Sequence, residues 1–409
     1  MRTQRSEREV TADHEPLLLS GIRTPFSRFG GALRGVPSVE LAAYAMRRAL
    51  ERSGIAPADV DEVYDGVTIP AEEALDGSIP ARVAMIRAGI PDDRLSLTID
   101  RACCSSLTAI QLAARAIRSG DANVVLAGGS ENMGRAAFLL PPDVRWGIKR
   151  GDVTLRDPMA APGADIGGKP VAVDAGEVAV EYGITREQSD AWALRSHERY
   201  LQALDSGFFA DEITPYQDDE TKLEADEGPR RDTSLEKLAR LRPIFGSPVV
   251  TPGNAPGLDT GACFVLVVSA RFARERQLEP LARIRSAGSV ARAPREIPVA
   301  PAPALQRALK PLGWAADQLD RIEINEAFAC VPLVTTRVLA DGDEARAERL
   351  RGRTNVNGGA VAIGHPTGAS GARLALTLAR ELRRRGGGRG GASICGGLGQ
   401  ADALVLEAS

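Results

Sequence analysis

The chain has 409 residues, 44% of them hydrophobic, and its 51 lysines and arginines nearly balance 54 aspartates and glutamates for a net charge of −3. That length predicts two or three domains with cores large enough to enclose a site, and the balanced charge excludes the global basic field of a nucleic-acid or anionic-membrane binder, so a small molecule is the expected partner. Five cysteines, an odd number without zinc-type or CxxC spacing, fit a reducing compartment and predict a soluble, cytoplasmic protein with no metal; no apolar run approaches the roughly 20 residues of a membrane span.

The first fifteen residues, MRTQRSEREVTADHE, interleave arginine with acids and read as a flexible, solvated arm rather than a signal or transit peptide. A strand-like run PLLLSGI follows, then the helical pattern SVELAAYAMRRALERSG, the run VDEVYDGVTI, a cysteine segment IDRACCSSLTAIQLAARAIRSG and the run ANVVLAGG. This alternation predicts α/β units around a sheet buried on both faces. Cys103 and Cys104 fall where the β run gives way to the helix.

Residues 131–249 differ in character, being rich in Asp, Glu, Arg, Pro and Gly. They hold one clear helix, TREQSDAWALRSHERYLQALDSG, opened by Thr185 with Glu187 in its first turn and closed by Gly207. This segment reads as an insertion able to cover a site or hold a ligand. Beyond it the first pattern returns. ALERSGIAPADVDEVYDGVTI (49–69) aligns without a gap to ALKPLGWAADQLDRIEINEAF (308–328), and SSLTAIQLAARAIRSG with ANVVLAGG is answered by SGARLALTLARELRRRG with GASICGG. An internal duplication follows, with residues 16–130 and 250–279 forming one half and 280–409 the other. Each half then offers a strand-to-helix turn, and the two turns can face one site.

Of three histidines, His14 lies in the arm and His197 on the inserted helix, where packing or surface roles are expected. His365 stands in VNGGAVAIGHPTGASGAR, amid glycines and just ahead of a helix, where an imidazole can act as a base and backbone donors can meet an oxyanion. A thiol at the start of a helix has its thiolate favoured by the dipole and free N–H groups. By that rule Cys103 is a nucleophile candidate, though cysteine also serves as a small core residue, the reading that suits Cys104. Cys395 occupies the matching turn of the second half, in SICGGLGQ.

The chain from about Pro16 to Glu407 resembles the thiolase family. The resemblance rests on GIRTPFSRFGGAL, the cysteine segment, AGGSENM, GITREQSDAWALRSHERY, LEKLARLRPIF, PGNAPGLDTGA, EINEAFA, NGGAVAIGHPTGASGAR and the C-terminal cysteine with its glycines. It implies the thiolase fold, two duplicated α/β halves layered α-β-α-β-α with the insertion as a loop domain. It also implies an acyl-CoA C-acyltransferase that cleaves a 3-oxoacyl-CoA with CoA, or runs the reverse Claisen condensation. By position, Cys103 would be acylated, His365 would activate it, and Cys395 would move the α proton. Asn325, through a water, would share one oxyanion hole with His365, and the N–H groups of Cys103 and Gly397 would form the other. Arg230, Phe328, Ala327 and Pro256 match positions that contact CoA. No permanently bound cofactor is implied; CoA and acyl-CoA are substrates, and a homodimer or homotetramer is expected.

Several positions depart from the family pattern: Asp100 for Asn, Ser106 for Gly, Pro256 for a serine in the CoA loop, and Leu398 within the glycine run. Two alternatives stand beside the leading reading: a 3-oxoacyl synthase of the same fold, which would leave Cys395 without a task, and an acyl-CoA or lipid binder with little turnover.

Overall fold

Strand β1 (Pro16–Arg23) is almost wholly buried, as the run PLLLSGIR requires of a strand covered on both sides. The structure is a computed structural model that describes residues 12–69, 79–159 and 169–409. Most of the expected N-terminal arm lies outside those residues, while Asp13 and Glu15 pair with Arg274 and Arg283. Helix α1 (Ser38–Ser53) buries Leu41, Met46 and Leu50, each contributing about 1.5–3 kcal/mol, and ends at Gly54 in the left-handed conformation (φ 70°). Then come β2 (Glu62–Gly66), α2 (Pro80–Arg87), β3 (Leu95–Ile99), α3 (Ser105–Ser119) and β4 (Val124–Asn132).

The insertion contributes α4 (Val171–Glu181) and α5 (Arg186–Asp205). Thr185 caps α5 as expected, with Glu187 in the first turn, through a reciprocal box with Gln188: Thr185 Oγ1 accepts the Gln188 N–H, and Gln188 Oε1 accepts the Thr185 N–H. Helix α4 was not expected, because the valines of VAVDAGEVAVE favour a strand. Packing decides it: Ala172, Ala175, Val178 and Ala179 enter a core shared with Cys330, Leu333 and Val334.

The chain continues through β5 (Thr260–Ser269), β6 (Ala282–Ala291), α6 (Pro301–Leu309), β7 (Arg321–Ile324), α7 (Cys330–Leu339), α8 (Glu344–Arg353), α9 (Thr367–Arg384), β8 (Gly388–Cys395) and β9 (Gln400–Ala408). The duplication is visible residue by residue. In the first half Gly54, a 3-10 turn at Pro57–Asp59 and then β2 follow α1; in the second, Gly313 at φ 64°, a 3-10 turn at Ala316–Gln318 and then β7 follow α6.

The strands form one nine-stranded sheet in the order β3-β2-β4-β5-β1-β6-β9-β8-β7. Strands β3, β2 and β4 run parallel, as do β7 and β8, and the remaining pairs are antiparallel. The halves join at β1 and β6 through the register pairs Leu17–Arg283 and Leu18–Ala282. One face of both halves turns to a common core around α3 and α9, which includes Val125, Val265, Ala392 and Leu404. The opposite face is covered by α1 and α2 over the first half and by α6 over the second. The layers thus run α-β-α-β-α, and the two central helices start at turns that lie together.

Candidate active site

The turn before α3 is built from its own side chains. Asp100 Oδ1 accepts the Ala102 N–H (3.0 Å), Ser105 Oγ accepts the Arg101 N–H (2.9 Å), and Ser105 donates to the Ala102 carbonyl (2.6 Å). These bonds hold Ala102 in the left-handed region at φ 49°, a conformation costly for a residue with a Cβ. The following residue, Cys103, remains partly accessible, whereas Cys104 is buried with its sulfur 3.5 Å from the Ile394 carbonyl. Cys104 is therefore the core residue of the pair.

His365 Nε2 lies 3.1 Å from Cys103 Sγ. On its other side Nδ1 lies 2.6 Å from Ser370 Oγ, and the single Ser370 proton is given to the Pro366 carbonyl at 2.8 Å. Ser370 must then accept from Nδ1, which assigns the proton to Nδ1 and leaves the Nε2 lone pair toward the thiol. The Asn325 amide nitrogen reaches the same Nε2 at 3.3 Å. Its Oδ1 is buried without a hydrogen-bond partner among the described residues, an acceptor left for a bound molecule.

Asn325 is held from two sides. Its backbone N–H donates to Ser393, and the adjacent Glu326 carboxylate accepts from Trp192, Ser196, Asn355 and the Val361 N–H at 2.8–3.0 Å. Helix α5 of the insertion thus anchors the loop that carries Asn325. Glu326 and Ser370 escaped the sequence reading, because carboxylates and hydroxyls with positioning tasks look like any others; only their burial inside EINEAFA and GASGAR distinguishes them.

Cys395 ends β8 and is buried. The residues after it fit directly onto the Cys103 turn: a Cβ on Gly396 would stand 2.9 Å from Cys104 Sγ and 3.0 Å from the Arg101 carbonyl, and one on Gly397 3.3 Å from Ala102 Cβ. Arg101 bridges the halves by binding Asp402 at 2.8 Å and Gln400 at 3.1 Å. The turn after β8 therefore lies on the turn before α3, but the duplication does not relate these two: β8 answers β4, and the turn that answers that of Cys103 is the one before α9, which carries His365.

Burial dominates the electrostatics. It pushes the Cys103 thiol up to about 12 and pulls His365 down to about 3, where the Arg373 charge acts in the same direction. Cys395 is raised by burial and then by Cys103. Sequence reasoning expected the helix dipole to favour a thiolate at Cys103, but desolvation outweighs it. The resting pair is a thiol donating to a neutral imidazole, so a thiolate forms only as the proton passes to Nε2.

A cleft of about 800 Å³, lined by Arg28, His197, Arg230, Pro256, Asp259 and Gly364 among others, reaches the residue before His365, while Cys103, His365, Asn325 and Cys395 themselves do not line it. Arg230 and Pro256 thus sit where a ligand can reach them. His197 is not a surface residue: its Nδ1 accepts the Arg230 N–H at 3.2 Å, and burial lowers it to about 4. Ala327 and Phe328 are half-buried on the Asn325 loop, packed toward the cores beneath α6 and α7. No group of three or more metal-binding side chains occurs among the described residues.

Residues 17–271 match the family model of the thiolase N-terminal domain, and residues 278–408 match that of the thiolase C-terminal domain. The chain belongs to the thiolase family. It is 42% identical to an acetyl-CoA acetyltransferase of Pseudomonas aeruginosa, over 95% of this chain and 98% of that one. It is 39% identical to a beta-ketoadipyl-CoA thiolase of the same organism, over 96% and 99%. The crystal structure of human mitochondrial 3-ketoacyl-CoA thiolase in complex with CoA superposes with a TM-score of 0.90 at 35% identity, covering 98% of this chain and 99% of that one. The protein is a thiolase-type acyl-CoA C-acyltransferase, and its fold is the thiolase fold.

Within this thiolase two of the departures have a visible local consequence. Ser106, where glycine is usual, places its hydroxyl 3.0 Å from the Ala372 N–H and ties α3 to α9. Leu398 adopts φ 62°, a glycine-like conformation, directly after Gly397.

Proposed function

We propose that this thiolase transfers an acyl group through Cys103. In the cleavage direction His365 takes the Cys103 proton, and the sulfur bonds to C3 of a 3-oxoacyl-CoA. The C2–C3 bond breaks, and the departing enolate takes a proton from Cys395 to leave as an acyl-CoA two carbons long. Free CoA then gives its proton to Cys395 and its sulfur bonds to the acyl carbon, and the departing Cys103 sulfur recovers its proton from His365; condensation is the reverse. Asn325, through a water held by its free Oδ1, and His365 would face one developing oxyanion, and the N–H groups of Cys103 and Gly397 the other; one such donor is typically worth about 10² to 10³ in rate. The observation that carries this reading is the 3.1 Å contact of Cys103 Sγ with an imidazole nitrogen whose lone pair is directed by Ser370.

Arg230 and Pro256 in the cleft, with Phe328 and Ala327 on the Asn325 loop, are assigned to CoA, with no permanently held cofactor. Residues 131–249 act as the lid that holds CoA, set into the first half (16–130 and 250–279) and facing the second (280–409). The chain works as a homodimer or homotetramer. Exposed Leu95 and Leu97 on the edge strand β3, and exposed Phe138, Leu140 and Trp146, support burial against further copies. Five unpaired cysteines support a reducing, cytoplasmic setting.

Brief incubation with acetoacetyl-CoA should add an acetyl group to Cys103, seen by intact mass and discharged by CoA. Cys103→Ala should abolish the adduct, whereas Cys395→Ala should still form it from acetyl-CoA, whose thiolate leaves without a proton, but lose its formation from acetoacetyl-CoA and exchange of the α proton. Full condensation by Cys395→Ala would refute the second assignment. No adduct from any of a panel of short, long and branched 3-oxoacyl-CoAs would refute the first.

A further inference from the structure

Behind His365 lies a buried carboxyl that the reaction above leaves without a task. Asp259, the residue before β5, is only 4% exposed, and its Oδ2 accepts the backbone N–H of His365 at 2.7 Å. The segments touch closely: a Cβ on Gly364 would lie 3.0 Å from Asp259 Cγ, so glycine is what lets the His365 loop settle onto the carboxyl. Asp259 also lines the wall of the main cleft beside Gly364.

Asp259 forms no ion pair among the described residues. Of the charged groups around it, Asp226 is engaged by Arg23, and Arg28, Glu227 and Arg230 stand elsewhere on the cleft wall. An asparagine oxygen would accept the same N–H without burying a charge. A carboxyl at this point therefore trades stability for something that only its ionisation supplies.

We propose that Asp259 is a positioning residue for His365: as a carboxylate it holds the His365 backbone so that Nε2 stays on Cys103, and on gaining a proton it loosens that hold, so turnover falls on acidification. The proposal rests on His365 being the base.

The sign follows from hydrogen-bond strength, since a charged acceptor binds an N–H more strongly than a neutral one. Burial pushes Asp259 up to about 6, against the His365 N–H and with a smaller contribution from Asp226, so the grip is full above that pH and weakens below it. His365 stays neutral through this range and supplies no limb of its own. The competing source is Glu131, raised by burial to about 7 beside the start of α9, where it accepts from Thr68, Ile69, Thr367 and Gly368.

The test is thiolysis of acetoacetyl-CoA by the full chain from pH 5 to 9, with Cys103 acylation read by mass in the same samples. In the wild type kcat should fall below pH 6 to a lower plateau. Asp259→Asn, a neutral acceptor at every pH, should show about that plateau value at pH 8 with no acid limb, while Asp259→Ala should lose at least about tenfold in kcat with little change in KM for CoA. A wild-type limb in Asp259→Asn, or a limb abolished only by Glu131→Gln, overturns the role of Asp259 while leaving an acylating Cys103 intact. A wild type that never acylates Cys103 overturns the site assignment and the role of Asp259 with it.

Discussion

Cys103 and His365 meet as two neutral groups, and that choice is made by burial against the helix dipole. It prevents a standing thiolate, which would invite oxidation, and makes reactivity depend on the direction of one imidazole lone pair. Ser370→Ala removes the acceptor that fixes this direction. Acylation of Cys103 should slow by about tenfold, equivalent to roughly 1.4 kcal/mol, in a burst experiment, with the CoA discharge step affected alike. The same neutrality has a cost in acid. A base held at about 3 in the fold and near 6.5 in the open chain gives stability that is complete above pH 6.5 and is lost as pH falls toward 3. About 2 kcal/mol should be gone by pH 5. Between pH 7.5 and pH 5 the raised carboxyls of Glu131 and Asp259 stabilise the fold in both proteins, so the imidazole is read as a difference: urea unfolding should show the wild type losing about 2 kcal/mol relative to His365→Asn, and no difference would mean the imidazole is protonated in the native state. At this scale the sequence made Cys103, His365, Cys395 and Asn325 legible through their motifs. Ser370, Glu326 and Asp259 were not legible, because what marks them is burial against distant segments.

Elements were readable wherever local chemistry and tertiary demand agree. Helix α1 ends at the glycine its pattern predicts, and α5 starts at Thr185. Replacing Thr185 by alanine should cost about 1 kcal/mol in urea unfolding, since the Gln188 N–H loses its acceptor. Turnover should change little, because the α5 residues that hold Glu326 lie in later turns. Where local and tertiary preferences conflict, the sequence misleads, as with the valine-rich α4, which is a helix because its small face fits α7. The turn after Cys395 holds a different conflict, a leucine at φ 62° between two glycines. Leu398→Gly should raise stability by up to about 1 kcal/mol by removing that strain. It should also slow α-proton exchange at Cys395 by letting the turn move. Thermal unfolding and exchange measured on one sample would show these opposite changes; a loss of stability would mean that Leu398 packs more than it strains.

The whole molecule makes one site out of two halves. The sheet runs unbroken from β3 to β7, but the halves share only a short register at β1 and β6. Their functional contact is where the Gly396 turn lies on the Cys103 turn. Gly396→Ala puts a methyl group within 3.0 Å of Cys104 Sγ and the Arg101 carbonyl, so the turns must part. Displacements of that kind cost about 10²-fold in rate, and acylation and α-proton exchange should fall together while far-ultraviolet circular dichroism stays unchanged. Loss of only one of the two activities would show that the halves act independently.

By itself the sequence determined the α/β alternation, the duplication and the identity of the thiols and imidazole, because periodicity, caps and motif spacing are local and survive in one dimension. Tertiary structure alone decided that Cys103 rests as a thiol, which His365 nitrogen carries the proton, and that Asp259 lies under the His365 backbone. The first and last depend on desolvation and on contacts between segments more than a hundred residues apart, which do not exist until the chain closes on itself; the proton position depends on Ser370, one turn into α9, whose role shows only once the helix places its hydroxyl against the imidazole.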